Sequence, residues 1–474
     1  MDIAIVGAGA ATVGLLDTLA ATADSPGAIT VFEPSPHLWR GRPYGPELDT
    51  VLVNAPPTIM SIRHLDFGHY ASWLGTPSSA HLDERLGQPL VPRALYGEYL
   101  AHTAETALAS LREAGWRVRI VTARVVGVAR PGATWSLRTE DGGGHEADHV
   151  ALCVGGGTPQ DHYGLGGASG FVDDPYPLAR TLDRVAAGNN VAVIGSGLTA
   201  VDVAVSLAAR GHTGPITLLS RSGVLPHVWQ RPVEHRPQHV TAERVAALHR
   251  QQGAVTLEDL IGLLRAELAT TGEDFEGFAA DLLATTTEDP VRRLRAQLDA
   301  VDDSRIGRRV LQEAAHSIGP YAWRLLPEPD RVRLQRHFRM ATSVASPMVP
   351  VNAATMMRLL DSGQLALAGG VHKIKMVQGV FRVHRDNGEH IFDAVINAVN
   401  PPPRAIPRGA RQLVTALLAD GSAELHPAGG LVPADPRLHV VGDLAGGGPF
   451  ITSSIAGIAA QAAWAVHTIV AAGE

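Results

Sequence analysis

Two stretches of the chain repeat one alternation of apolar and small residues. The first begins with the apolar run Ile3-Ala4-Ile5-Val6 and passes through Gly7-Ala8-Gly9 into an Ala/Leu-rich segment ending near Ala23. It returns to an apolar run at Ile29-Thr30-Val31-Phe32, just before Glu33. The second begins at Val191-Ala192-Val193-Ile194, passes through Gly195-Ser196-Gly197 and continues to Arg210. It then returns at Ile216-Thr217-Leu218-Leu219, before Ser220-Arg221. Short apolar runs bounded by glycine predict buried strands, and the longer segments between them predict helices. Each stretch reads strand, glycine turn, helix, strand, the unit that joins parallel strands through a crossover helix.

Between Val240 and Phe338 the period changes. Leu257, Leu260, Ile261, Leu264 and Leu268 follow helical spacing, and Thr256 with Asp259 predicts a capping box at the start of that helix. Pro290 to Leu298 and Ile306 to Ile318 predict further helices. Strand-like runs return at Leu365 to Leu367, Lys373 to Val377, Val380 to His384, Ile391 to Val399 and Leu438 to Val441. These late strands are expected to complete sheets begun much earlier, which makes the domains discontinuous. The predicted fold class is α/β, with two Rossmann-like dinucleotide-binding domains and an α-helical insertion. The expected boundaries are 1–157 with 396–474, 158–234 with 346–395, and 235–345 for the insertion. Phe450 to Val470 is apolar but carries Thr452, Ser453, Ser454, Gln461 and His467, so a buried helix is expected there and not a membrane span.

Composition narrows the classes. A chain of 474 residues has room for about three domains at roughly 150 residues each. Hydrophobic residues at 45% and charged residues at 18% exclude wholesale disorder. A formal charge of −7 gives no electrostatic reason to expect nucleic acid or anionic lipid as a partner. The single cysteine, Cys153, excludes an internal disulfide and a redox CxxC pair. The chain opens on a strand with no basic or apolar leader, so a cytoplasmic location is expected. No metal-ligand spacing, paired-carboxylate signature or Ser-His-Asp motif stands out among the residues. Arg292, Arg293, Arg295, Arg308 and Arg309 alternate with carboxylates, which predicts a solvated helix face; an anion patch is the alternative.

The glycine turns carry the chemistry. A glycine turn between strand and helix aims backbone N–H groups along the helix axis, where a pyrophosphate meets the positive end of the helix dipole. Gly7 and Gly9 take the first two places of G-x-G-x-x-G, with Ala10 and Ala11 next, but Thr12 stands in the third. Glycine there normally permits close helix–strand contact, and Gly14 is the small residue left to compensate. Glu33, at the end of the following strand, is placed to accept hydrogen bonds from a ribose. Together these residues predict a dinucleotide site.

The second turn has Gly195, Gly197, Leu198, Thr199 and the permitted small third residue Ala200. Its strand ends in Ser220-Arg221 and not in an acid. An acid repels a 2′-phosphate and a guanidinium attracts one, so NADPH is predicted in the second domain; a plain surface arginine is the alternative. Asp443 follows a strand ending at Gly442 and precedes a helix expected near Pro449. A carboxylate there can accept from a ribityl hydroxyl while the helix N-terminus faces the pyrimidine end of a flavin, or it can serve as an ordinary cap.

Further stretches match a known pattern: Val31-Phe32-Glu33, Gly41-Arg42-Pro43-Tyr44-Gly45, and Leu52-Val53-Asn54-Ala55-Pro56-Pro57 with Met60-Ser61-Ile62. So do Val91-Pro92-Arg93-Ala94-Leu95-Tyr96-Gly97-Glu98-Tyr99-Leu100, Gly195 to Asp202, and Ser220-Arg221-Ser222-Gly223-Val224-Leu225-Pro226. With them the chain resembles the two-dinucleotide-binding-domain flavoproteins, in particular the FAD/NAD(P)-binding family that includes the YdhS-like proteins and is related to flavin-dependent monooxygenases. The resemblance implies a glutathione-reductase-like FAD domain followed by an NADPH domain, with FAD and NADPH as cofactors. It implies that Asn54, Met60 and Ser61 approach the isoalloxazine and that Val125 and Gly155 belong to the cofactor-binding set. The strand ends that usually read Ala-Thr-Gly are here Cys153-Val154-Gly155-Gly156-Gly157 and Asn397-Ala398-Val399-Asn400, with Asn400 in place of a small glycine. Cys153, following an apolar strand, is expected to be a buried small hydrophobe.

Three functions fit these expectations. In a single-component monooxygenase, NADPH reduces FAD and one oxygen atom of O2 passes to a small molecule, by N-hydroxylation or a related oxygenation. A flavin dehydrogenase or reductase passes hydride onward without inserting oxygen. A non-catalytic flavin-binding protein uses the nucleotides only as scaffold. The resemblance favours the first, with the insertion forming part of the substrate wall or a lid. No residue is identified from sequence as a catalytic acid or base.

Overall fold

Two parallel sheets, each of five strands, organise the chain. In the computed structural model, the strands of the first sheet lie in the order Leu438–Val440, His149–Leu152, Asp2–Val6, Ala28–Phe32, Arg117–Val121. In the second the order is Phe171–Val172, Ala394–Asn397, Val191–Ile194, Ile216–Leu219, Leu365–Ala368. The structure describes residues 1–472 apart from 24, 131, 222, 449, 452 and 453. Ser222, Pro449, Thr452 and Ser453, which entered the sequence expectations, lie outside the described residues.

The two units share one plan. Each inserts a three-stranded antiparallel sheet before returning to its parallel sheet, after the third strand in chain order in the first unit and after the fourth in the second: Val125–Ala129, Trp135–Thr139 and Gly144–Ala147 in the first unit. In the second these are Val371–Val377, Val380–Arg385 and Gly388–Phe392. They differ in the source of the edge strand. The first unit takes it from near the C-terminus and the second from just before its glycine strand. Strands such as Val191–Ile194 are buried at every residue because both sheet faces are covered, which is why they read as unbroken apolar runs.

The apolar run expected from Ile391 to Val399 divides into two strands at Asp393. That carboxylate accepts from Asn190 N–H at 2.7 Å and turns the chain from the antiparallel sheet into the parallel one. The second strand of the pair, Ala394–Asn397, runs across residue 396, where the sequence places a change of domain.

One face of the first sheet is covered by the helices Ala10–Thr22, Arg93–Glu113 and Ile455–Ala471. The C-terminal helix starts at Ile455 with Ser454 as its cap, later than the helix expected near Pro449. An added Cβ at Gly14 would stand 3.1 Å from the Ala462 methyl, so the missing side chain lets the first and last helices pack closely there. Among the described residues no helix is long and apolar enough to cross a membrane.

A run of helices from Ala242 to Ala345 forms the insertion. Its capping box is present: Thr256 Oγ1 accepts from Asp259 N–H at 3.2 Å and the Asp259 carboxylate accepts from Thr256 N–H at 2.9 Å. The solvated arginine face is corrected in part. Arg292 and Arg295 are exposed, but Arg293, Arg308 and Arg309 are buried. Arg293 donates to the carbonyls of Thr285 and Leu225, and Arg309 donates to the carbonyl of Arg231 at 2.6 Å. Both lie inward because backbone carbonyls there give their guanidinium groups partners that carboxylate spacing in the sequence does not reveal.

Candidate functional site

Each glycine turn grips the strand beside it in the same way. Gly7 N–H donates to the Phe32 carbonyl and Gly195 N–H to the Leu219 carbonyl, both at 2.8 Å. Gly7 has φ +102° and Gly195 φ +118°, a region that favours glycine. At Gly7 a side chain is also barred by contact, since an added Cβ would lie 2.2 Å from the Cys153 carbonyl oxygen. The departure at Thr12 has its own compensation: Thr12 is buried and its hydroxyl donates to the Gly7 carbonyl at 2.6 Å, bracing the turn from within.

Both turns deliver a helix N-terminus without a protein cap. Gly9 caps Ala10–Thr22 and Gly197 caps Leu198–Ala209, neither with a side-chain hydrogen bond and neither with an acid in the first turn. Four helices of the insertion, by contrast, are capped by Thr241, Thr256, Asp274 and Asp289. Uncapped first-turn N–H groups need another partner, and an anion at the dipole's positive end supplies one. Gly197 strengthens the case. Its backbone is at φ −81° and ψ −170°, open to any residue, and an added Cβ would meet nothing within 4 Å. The fold itself does not require glycine there, whereas a phosphate pressed against the backbone does. The residues present fit a dinucleotide at each turn.

The strand-end residues divide the two turns. Glu33 accepts from Ala8 N–H and Ser35 N–H, both at 2.9 Å, so its carboxylate lies against the first turn. By register, Ser220 holds the matching place in the second unit: Ser196 Oγ donates to Ser220 Oγ at 2.9 Å. Arg221 is the next residue, exposed and near Tyr163.

The remaining expected residues fall mostly around the first turn. Met60 and Ser61 are buried on a Pro-braced loop held by the helix Arg93–Glu113: Tyr96 Oη donates to the Met60 carbonyl at 2.7 Å and Ile62 N–H donates to Tyr99 Oη at 3.1 Å. Asn54 is fixed through its carbonyl, which accepts from Trp229 Nε1 at 2.7 Å, while its Oδ1 is buried without a partner among the described residues. An orphaned acceptor at that point fits a ligand donor. Gly156 borders Asp443, with an added Cβ 3.0 Å from the carboxylate, and Gly155 has open space beside it. Val125 lies in the core between the first sheet and its antiparallel partner. Cys153 is buried and burial pushes its thiol up to about 12.

Several neighbours of the candidate site escape sequence reasoning. Arg404, buried in the loop after Pro401-Pro402-Pro403, donates to the Gly448 carbonyl at 2.6 Å and lies in the field of Asp443. No sequence signal marks it. Asn400, the odd residue at the second linker, accepts from Thr199 Oγ1 at 3.0 Å and so ties the linker to the first turn of the second helix. The two units are joined by a buried pair in which Arg93 Nη2 donates to Asp202 Oδ2 at 2.6 Å, with Tyr176 Oη donating to the same oxygen. Burial opposes the Arg93 charge, but Asp202 and Tyr176 outweigh it and raise the guanidinium's pKa. Burial in turn raises the Asp202 carboxyl above its ordinary value, against the opposing pull of Arg93 and the Tyr176 hydroxyl. Arg93 and Asp202 both belong to the sequence stretches that carried the family resemblance, which marks them without revealing that they meet.

Residues 4–157 match the family described as FAD-NAD(P)-binding. No curated protein matches the chain in sequence. Among solved structures, an L-lysine 6-monooxygenase from Pseudomonas syringae is similar at TM-score 0.57 and 15% identity, over 99% of this chain and 98% of its own. An ornithine hydroxylase from Pseudomonas aeruginosa is similar at TM-score 0.57 and 13% identity, over 99% of both chains. A cadaverine monooxygenase from Erwinia amylovora, solved bound to FAD, is similar at TM-score 0.57 and 12% identity, over 98% of this chain and 94% of its own. At these identities the likeness is one of fold, that of flavoproteins with two dinucleotide-binding domains.

Proposed function

We propose that this chain, with an FAD-NAD(P)-binding domain over residues 4–157, is an FAD-dependent, NADPH-consuming monooxygenase acting on a small amine or amino acid. The observation that carries the reading is the pair of glycine turns, each with a positive-φ glycine between a parallel strand and an uncapped helix N-terminus behind Gly9 or Gly197, which fits two dinucleotides on one chain. The first turn, with Ala10, Ala11, Thr12 and Glu33, would hold the FAD pyrophosphate and ribose. Asn54, Met60, Ser61, Val125, Gly155, Gly442 and Asp443 would hold the rest of it. The second turn, with Leu198, Thr199, Ser220 and Arg221, would hold NADPH.

Bound FAD would accept hydride and supply the oxygen chemistry. The chain's own part is to orient and to exclude water. The buried tyrosines Tyr96 and Tyr99 fix the loop at Met60 and Ser61, and Trp229 fixes Asn54 from the insertion side. A dithiol relay is excluded, because the chain has one cysteine and its thiol is buried and protonated. Lysine, ornithine and cadaverine monooxygenases among the structural neighbours support oxygen transfer to a nitrogen.

The test is turnover under isotopically labelled O2 with NADPH and a panel of diamines and basic amino acids. One labelled atom in the product and one in water is the expected outcome. Fast NADPH oxidation with an unlabelled organic product would replace this reading with a flavin reductase.

A further inference from the structure

The helical insertion and the segment just before it line a cavity. It has a volume of about 260 Å³, and its lining includes Gln230, Glu273, Asp274, Phe278, Asp281 and Arg308. It faces away from the cofactor loops: Trp229 points its indole at Asn54, whereas the next side chain, Gln230, reaches the Ala300 carbonyl at 2.9 Å. Neighbouring residues of an extended segment project to opposite sides.

Two lining groups are without partners. Arg308, in the first turn of the helix Gly307–Ser317, is 9% exposed, and its guanidinium makes no hydrogen bond to any described residue. The arginines beside it are accounted for, Arg305 by the Asp303 carboxylate at 2.6 and 2.8 Å and Arg309 by the Arg231 carbonyl at 2.6 Å. Gln230 is 4% exposed and its Oε1 has no partner among the described residues. A buried guanidinium lacking a hydrogen-bond acceptor, beside an acceptor lacking a donor, is costly unless something else fills both needs.

The acids of the lining sort by what they already hold. Glu273 accepts from Ile306 and Gly307 N–H, at 2.7 and 3.1 Å, and Asp274 caps the helix Phe275–Leu283. Asp281 is exposed and is the first charge opposing the burial that lowers the Arg308 pKa. The cavity therefore offers a planar fork of donors at Arg308 and free acceptors at Gln230 Oε1 and Asp281. A ligand that satisfies both carries a carboxylate and an ammonium group close together.

We propose that this cavity binds a free α-amino acid, its carboxylate on Arg308 and its ammonium group between Gln230 Oε1 and Asp281. It is a second site, separate from the glycine turns, and it stands whether or not the chain is a monooxygenase. The ligand's carboxylate supplies the acceptor Arg308 lacks, and its ammonium group lies on the side of Asp281, the charge already opposing Arg308.

The test is calorimetric titration of the full-length, FAD-loaded protein without NADPH, using L-lysine, L-alanine and L-glutamate, with cadaverine as the carboxylate-free counterpart of L-lysine. At least one amino acid is expected to bind with one-to-one stoichiometry and to raise the thermal midpoint, and cadaverine is expected to do neither. Arg308→Met should weaken that binding about tenfold or more, and Asp281→Asn roughly two- to fivefold, with FAD content unchanged in both. Unaltered affinity in an FAD-retaining Arg308→Met protein would overturn the site, as would equal binding of cadaverine or no amino-acid binding at millimolar concentration. Where Arg308→Met does not retain FAD, the exposed Asp281→Asn variant decides, and unchanged affinity there overturns it.

Discussion

At Gly197 ligand and fold make different demands, so one substitution separates them. Because an added Cβ meets no protein atom there, Gly197→Val is expected to fold and to keep its FAD while losing tenfold or more in affinity for nicotinamide nucleotide, read by titration. Gly7→Ala is expected to fail differently. A Cβ 2.2 Å from the Cys153 oxygen, on a residue at φ +102°, strains the first turn itself, so both FAD content and thermal midpoint should fall. Arg221 bears on the choice of nicotinamide. A charge-assisted bond to a 2′-phosphate contributes roughly 1.5–3 kcal/mol, and exposure places Arg221 at the lower end, about tenfold in affinity. Arg221→Ala should weaken NADPH by about that factor and leave NADH nearly unchanged, as measured by Km for the two cofactors. Equal losses for both would mean that Arg221 supports the turn and not the phosphate.

At the scale of elements, a reciprocal side-chain cap marks a helix end whose N–H groups the chain satisfies itself. Thr256 completes a reciprocal pair with Asp259, so Thr256→Ala should cost about 1 kcal/mol of insertion stability without affecting nucleotide affinity. A chemical denaturation midpoint that does not move would show that the helix is held by packing alone. This element, like both glycine turns and the strands flanking them, was legible in the sequence because each is specified by residues a few positions apart. What was not legible depends on distant partners. The burial of Arg293, Arg308 and Arg309 depends on carbonyls and helices brought in by folding. Arg404 gains its place from an irregular proline-rich loop that carries no periodicity. The division of the run from Ile391 to Val399 depends on Asn190, two hundred residues earlier in the chain. The C-terminal helix was expected too early because apolar content alone does not mark a start, whereas the cap at Ser454 does.

For the molecule as a whole, buried polar contacts tie distant segments of the chain to one another. The Arg93–Asp202 pair spans the two sheets' units, and Arg93→Met would leave Asp202 buried without its cation, a change that typically costs 3–5 kcal/mol. Loss of cooperative thermal unfolding between the FAD and nicotinamide units is the expected signature. Acid is expected to act through a second pair. His149 and His439 lie on adjacent strands of the first sheet, with Nδ1 of one 3.3 Å from Nε2 of the other. Burial, together with the neighbouring imidazole, lowers His439 to about 4, and burial with Arg437 lowers His149. In the unfolded chain these groups take up protons near 6.5, whereas the folded protein keeps His439 neutral until about pH 4. Between those values the unfolded state binds more protons, so stability falls as pH falls, by on the order of 3 kcal/mol from His439 across the window. His439→Asn removes the titrating group and should make the decline between pH 6.5 and 4 shallower than in the parent protein, followed by urea midpoints at a series of pH values. An unchanged slope would mean that the imidazole takes up its proton as readily in the folded sheet as in the open chain, and that acid sensitivity arises elsewhere.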